Sequence, residues 1–147
     1  MDKLDELFAS QTSLNDRIFG KRSLRGQDGQ ILSTTRLAEL ARAGGVAPGP
    51  DVALWLSNYL RALSDEGREL GEEIPWKWWS KETLDIEAIR VEIVDMLHFW
   101  LSLALVSGLD AEETLRLYRL KNEVNLRRQD EGYDASAKTT RDDLSVR

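Results

Sequence analysis

The chain has 147 residues, 41% hydrophobic and 31% charged, which suits one globular domain with a sizeable core rather than a disordered chain. Its formal net charge of −6 excludes a bulk electrostatic grip on DNA or RNA, which needs a basic face. With no cysteine and one histidine, it also excludes disulfides, thiolate metal sites, cysteine nucleophiles and any multi-histidine metal centre within one chain.

Spacings of three and four recur along the chain and period-two alternation is nearly absent, so the expected fold is all-α: a bundle of four to five helices. The opening MDKLDELFAS has neither the basic nor the apolar region of a signal peptide. A first helix is expected over 1–20, with Leu4, Leu7, Phe8, Leu14 and Ile18 on one side. The polar, glycine-rich stretch 20–30 reads as a loop, 31–43 as a short second helix, and 44–50 as a second loop. Asp51, after Pro50, is the expected N-cap of a long third helix that runs to about Glu73 and is stopped by Pro75. The loop PWKWWSKET leads to a fourth helix over 85–107, with Gly108 at its C-terminus. Asp110 and Glu113 suggest a capping box for a last helix over 111–130. Residues 1–133 are read as one domain and 134–147 as a polar, flexible tail. The longest apolar run, 93–106, is interrupted by Asp95, His98 and Ser102 and is too short and polar to span a bilayer, so a cytoplasmic protein of a bacterium or phage-infected host is expected.

Taken alone, the fourth helix has a broad apolar arc and a narrow stripe carrying Glu92, Asp95, Phe99 and Ser102, with His98 at its edge. Such a stripe usually faces water. The third helix changes that reading. Its apolar stripe of Val52, Leu56, Tyr59, Leu63 and Leu70 contains Glu66, and Glu69 lies one turn on. Gly67 and Gly71 fall in the same stretch, where each costs about 1 kcal/mol unless another helix or a ligand comes close. Antiparallel packing of E-x-x-E at 66–69 on E-x-x-D at 92–95 would gather four carboxylates, a cluster that needs cations. Oxygen-only ligation suits Mg²⁺, with Mn²⁺ as a substitute, and Glu72 and Glu73 are reserve or outer acids. On the last helix, Lys121, Asn122, Asn125 and Arg128 form either a solvated face or a grip on phosphate oxygens. Three tryptophans in Trp76-Lys77-Trp78-Trp79 form either a base-stacking wall or an apolar packing surface.

The run ExxELxxxxPWKWW, followed by VEIVDxxHF and KNxxNxxRQDxGY, resembles the dimeric dUTPase family of all-α nucleoside triphosphate pyrophosphatases, which has MazG-like relatives. The likeness covers most of 10–133 and is weakest between 20 and 50. It implies hydrolysis of dUTP, and of dUDP, to dUMP, with pyrophosphate or phosphate as the other product. It places Glu66, Glu69, Glu92 and Asp95 on the metal-binding carboxylates, with Glu66 or Glu69 as general base. It matches Gln11 and Asn15 to the pair that reads the uracil edge, Trp76 to the base, Lys77 to the substrate and His98 to the sugar. Lys121, Asn122, Asn125, Arg128 and Tyr133 match the phosphate-binding segment. The family shares its active site across a homodimer, so a second copy and a nucleotide are the implied partners, with neither nucleic acid nor membrane. Tyr59 stands where several members carry a tryptophan. The alternatives are the same chemistry on dCTP or another dNTP, and a non-catalytic helical adaptor.

Overall fold

A computed structural model describes residues 1–44 and 49–131. Five helices follow the expected order: α1 (Lys3–Lys21), α2 (Thr34–Ala43), α3 (Pro50–Glu73), α4 (Ile86–Val106) and α5 (Ala111–Glu131). Among the described residues there is no strand, only an isolated bridge between Arg25 and Ile31 that closes the loop before α2. No helix among them is long and apolar enough to cross a membrane.

Side-chain caps set most helix starts. Asp2 accepts the backbone N–H groups of Leu4 and Asp5 while Asp5 accepts that of Asp2, a reciprocal box at the head of α1. Ser33 caps α2 through Arg36 N–H at 3.1 Å, so this helix begins at Thr34 rather than at 31. Asp51 is not the cap of α3. That position belongs to Gly49, at φ +102°, with Pro50 in the first turn. The Asp51 carboxylate is thereby freed to accept Gln27 N–H at 2.9 Å, which ties the loop before α2 to α3. Asp85 caps α4 through Glu87 and Ala88 N–H. The chain leaves α4 through Gly108 at φ +88°, where a Cβ would come within 2.9 Å of Arg42 Cγ.

The buried face of α1 is displaced from the expected one. Phe8, Gln11, Asn15 and Phe19 are buried, while Leu7, Leu14 and Ile18 remain 41–42% exposed. Residues 7, 14 and 18 lie one position, about 100° of helix, round from 8, 15 and 19. Leucine content pointed to the wrong stripe because two amides occupy the inner one, and they do so only because α4 supplies their partners.

Helices α1 to α4 and their loops form one compact unit, residues 1–109. Its core joins Phe19 of α1, Leu32, Leu37 of α2, Val52 and Tyr59 of α3, and Val106 of α4. Phe19 meets Trp55 edge-on at 4.8 Å between ring centroids. The most extensive helix pair is α3 with α4. They run antiparallel, with Tyr59 beside Phe99 and Gly67 beside Met96. A Cβ at Gly67 would lie 3.8 Å from Met96 Cε, so α4 does approach there. At Gly71 no other helix comes as close among the described residues.

A second unit begins at Asp110. The Asp110 carboxylate accepts Glu113 N–H at 2.8 Å, the first half of the expected capping box, while Glu113 bonds Arg116. Tyr133 and the tail expected over 134–147 lie outside the described residues.

Candidate active site

The stripe of α4 at 92, 95, 99 and 102 turns inward. Glu92, Asp95 and Phe99 are half-buried and Ser102 is fully buried, whereas Val91, Ile93 and Val94 are 50–58% exposed. The stripe that would ordinarily meet water is therefore the inner one.

Its first turn meets the acids of α3. One carboxylate oxygen from each of Glu66, Glu69 and Glu92 lies within 4.8 Å of the others. Glu92 Oε2 is buried with no hydrogen-bond partner. Partial burial, then the charges of Glu69, Asp95 and Glu92, and last that of Asp65, hold the Glu66 carboxyl above the usual range. Glu92 is raised likewise, first by desolvation and then by Glu69, Asp95 and Glu73. Asp95 thus acts on both. Arg68 bonds Asp65 and Glu72 and approaches Glu69 at 3.4 Å, so Glu72 is already engaged by a cation on its own helix. An all-oxygen set with one buried oxygen left unsatisfied fits a hard divalent cation such as Mg²⁺.

A cavity of about 560 Å³ adjoins these acids, with Glu66 and Asp95 in its lining. That is within the ordinary range for a small-molecule site. Trp55, Tyr59 and Phe99 give it an aromatic wall, with Tyr59 centred 5.4 Å from Trp55 and 6.4 Å from Phe99. Burial, and then the Asp16 charge, push the Tyr59 hydroxyl far above its usual range, so this wall carries no charge.

Gln11 and Asn15 of α1 line the same cavity and are held from behind. Gln11 Nε2 donates to Asn15 Oδ1 and to Ser102 Oγ, both at 3.0 Å. Asn15 Nδ2 donates to Ser102 Oγ at 3.1 Å. Ser102 Oγ donates to the His98 carbonyl at 2.9 Å, and His98 Nδ1 lies 2.7 Å from Gln11 Oε1. A carbonyl oxygen only accepts, so Nδ1 is the donor of that contact.

Five of the expected site residues therefore line one cavity in the first unit, Gln11, Asn15, Glu66, Asp95 and His98, and Glu92 meets Glu66 beside it. Glu69 joins through its carboxylate contacts. Trp76 and Lys77 do not line this cavity. Trp76 is 70% exposed and edge-on to Trp79, and Lys77 Nζ sits 5.8 Å from the Trp76 ring centroid. Lys121, Asn122, Asn125 and Arg128 lie on α5 in the second unit. Trp55 and Ser102 were not read as site residues. The signal for Ser102 was its place seven residues after Asp95 on the acidic stripe, and for Trp55 its place four residues before Tyr59.

The dUTPase family model matches residues 3–113, which takes in α1 to α4 and stops short of the phosphate-binding likeness on α5. Among known proteins, the chain is similar to the dCTP pyrophosphatases of Enterobacteria phages LZ5 and T4. Each is 32% identical over 108 residues, 56% of this chain and 63% of the relative. It is also similar to a DNA replication protein of Enterobacteria phage T4, 30% identical over 97 residues, 49% of this chain and 25% of that protein. The chain thus spans less than two thirds of the phage pyrophosphatases it matches. No solved structure matches it. With a match across most of its length, and with paired acids on α3 and α4 beside an amide-lined cavity, the chain belongs to the all-α dUTPase family.

Proposed function

We propose that this protein is a Mg²⁺-dependent nucleotide pyrophosphohydrolase that converts dUTP to dUMP and pyrophosphate, and dUDP to dUMP and phosphate. The observation that carries the reading is the convergence of Glu66, Glu69 and Glu92 beside a cavity lined by two oriented amides. Glu66, Glu69, Glu92 and Asp95 would hold the metal. When bound, Mg²⁺ or Mn²⁺ supplies polarisation of the phosphate oxygens and neutralises charge on the leaving group. Glu66 or Glu69 takes the proton of the attacking water. Gln11 and Asn15 meet the base edge. The Trp55, Tyr59 and Phe99 wall bounds the ring and excludes thymine's extra methyl, a discrimination of about 1–3 kcal/mol. By the family likeness, His98 serves the sugar, Trp76 the base, Lys77 the substrate, and Lys121, Asn122, Asn125, Arg128 and Tyr133 the phosphates. The partner is a second copy of the chain in a homodimer of shared sites, and the exposed apolar face of α4 supports that pairing. The setting is the cytosol.

A second reading, dCTP as the substrate, is favoured by the phage relatives, which are named dCTP pyrophosphatases. Uracil and cytosine both present a donor beside an acceptor, and an amide pair can answer either. The test is pyrophosphate release from each dNTP with Mg²⁺ and again after chelation. The expected result is fastest release from dUTP and none without metal. Fastest release from dCTP selects the second reading. No release from any dNTP sinks both and leaves the non-catalytic adaptor.

A further inference from the structure

We propose that Ser102 is the positioning residue that fixes the polarity of the base-reading amides, holding Gln11 and Asn15 with their NH₂ groups turned back and a defined donor and acceptor turned to the cavity. This rests on the reading above that the two amides meet the base.

The inference follows from counting protons and lone pairs. A serine hydroxyl has one proton and two lone pairs. The Ser102 proton goes to the His98 carbonyl at 2.9 Å, its nearer acceptor, since Asn15 Oδ1 is 3.3 Å away. Its two lone pairs then meet Gln11 Nε2 at 3.0 Å and Asn15 Nδ2 at 3.1 Å, and it has no capacity left. The hydroxyl is fully buried, so water cannot replace any of these partners. Rotating Gln11 by 180° would set its carbonyl oxygen against the saturated Ser102 oxygen and against Asn15 Oδ1, and rotating Asn15 would set its NH₂ against that of Gln11. On the other side, Gln11 Oε1 lies 2.7 Å from His98 Nδ1, a contact met by the Nδ1–H tautomer, which follows the amide and does not fix it.

What remains unspent is specific. Both Gln11 Nε2 protons are used, one on Asn15 Oδ1 and one on Ser102. One N–H of Asn15, one lone pair of Asn15 Oδ1 and one lone pair of Gln11 Oε1 are left for a ligand. A single donor with acceptors of fixed order answers only one register of a pyrimidine edge. Without Ser102, either amide can flip and present the reverse order. The rival explanation is that the network only sets the register of α1 on α4, with no consequence for the base.

Two variants and two readouts separate these. In Ser102→Ala, the Gln11 and Asn15 side-chain NH₂ signals, followed by ¹⁵N NMR, should lose their protection from solvent exchange, and Ser102→Thr, which keeps the hydroxyl, should retain more of it. In kinetics, Ser102→Ala should raise KM for the preferred nucleotide about tenfold with a smaller fall in kcat. The kcat/KM ratio between dUTP and dCTP should shrink by about the same factor, the equivalent of one misplaced hydrogen bond. Inhibition by pyrophosphate, which has no base, should stay within about twofold, a reading that a general loss of structure would not spare. Unchanged amide protection, or an unchanged dUTP-to-dCTP ratio in a folded Ser102→Ala protein, overturns the inference. A wild-type protein that hydrolyses no dNTP instead sinks the proposed function, and the NMR arm still decides whether Ser102 orients the amides.

Discussion

At the scale of single residues, the acids and the amides solve the same problem with different partners. Gln11 and Asn15 are buried polar groups, each held by hydrogen bonds within the protein. Glu92 is a half-buried carboxylate with one oxygen that is not. Burial and three neighbouring anions favour its protonated form, so the ionised side chain weakens the metal-free fold. Glu92→Gln keeps the shape and removes the charge. It should lower Mg²⁺-dependent hydrolysis by more than about 100-fold, beyond the usual loss for an outer-shell partner. The metal-free variant should melt at or above the wild-type temperature. Wild-type turnover, or a loss of helical circular dichroism, would contradict the assignment. The convergence of Glu66, Glu69 and Glu92 was legible in the sequence because acids three apart on two consecutive antiparallel helices fall side by side. Ser102 was not, because a serine in an apolar helix most often only bonds its own backbone, as Ser102 also does to His98.

At the scale of elements, α4 shows that hydropathy periodicity finds a helix while its neighbours decide which face turns inward. Its order, caps and ends agree with the spacing of the sequence to within a residue or two. The inward face, however, is the stripe with the polar residues, and Val91, Ile93, Val94 and Trp100 remain 40–58% exposed. Burial is decided by which neighbour a stripe meets: the paired acids placed α3 against this stripe, whereas nothing in hydropathy placed the amides of α1 there. The same failure moved the buried face of α1 by one residue. An apolar outer face of this extent is costly in water and suited to a second copy. Ile93→Glu should leave the circular dichroism of the chain intact, since the side chain is 52% exposed, yet shift light scattering from dimer to monomer. A wild-type protein that scatters as a monomer at micromolar concentration would remove the basis for a shared site. Its tryptophans give a second check: Trp78, 89% exposed in the single chain, should shift its fluorescence to the blue on assembly if that loop joins the interface.

At the scale of the molecule, the unit of residues 1–109 couples its core to its site through shared residues. Tyr59 belongs both to the buried cluster and to the cavity wall. Phe19, 1% exposed and stacked edge-on against Trp55, joins that wall to α1. Phe19→Ala should therefore cost about 3–5 kcal/mol in chemical denaturation and weaken nucleotide binding as well. The strongest test of the whole arrangement is linkage between protons, metal and folding. Glu66 and Glu92 have carboxyls raised above their unfolded values. Between the unfolded and folded values the native metal-free protein holds more protons than the unfolded chain, so its stability falls as pH rises through that window. On the proposed reading Mg²⁺ would bind the deprotonated carboxylates, so its stabilisation would be small on the acid side and grow as the pH passes above the window. At about one hundred times its Kd, a ligand of the native state alone contributes about 2.7 kcal/mol, several degrees of melting temperature for a chain of this length. Melting curves with and without Mg²⁺ at about pH 5 and about pH 8 should show that increment chiefly at the higher pH. A Glu66→Gln, Glu92→Gln protein should lose both the metal increment and part of the pH slope. Equal Mg²⁺ shifts at both pH values, persisting in that double variant, would mean that the cation binds elsewhere and that the acids of α3 and α4 are not its cage.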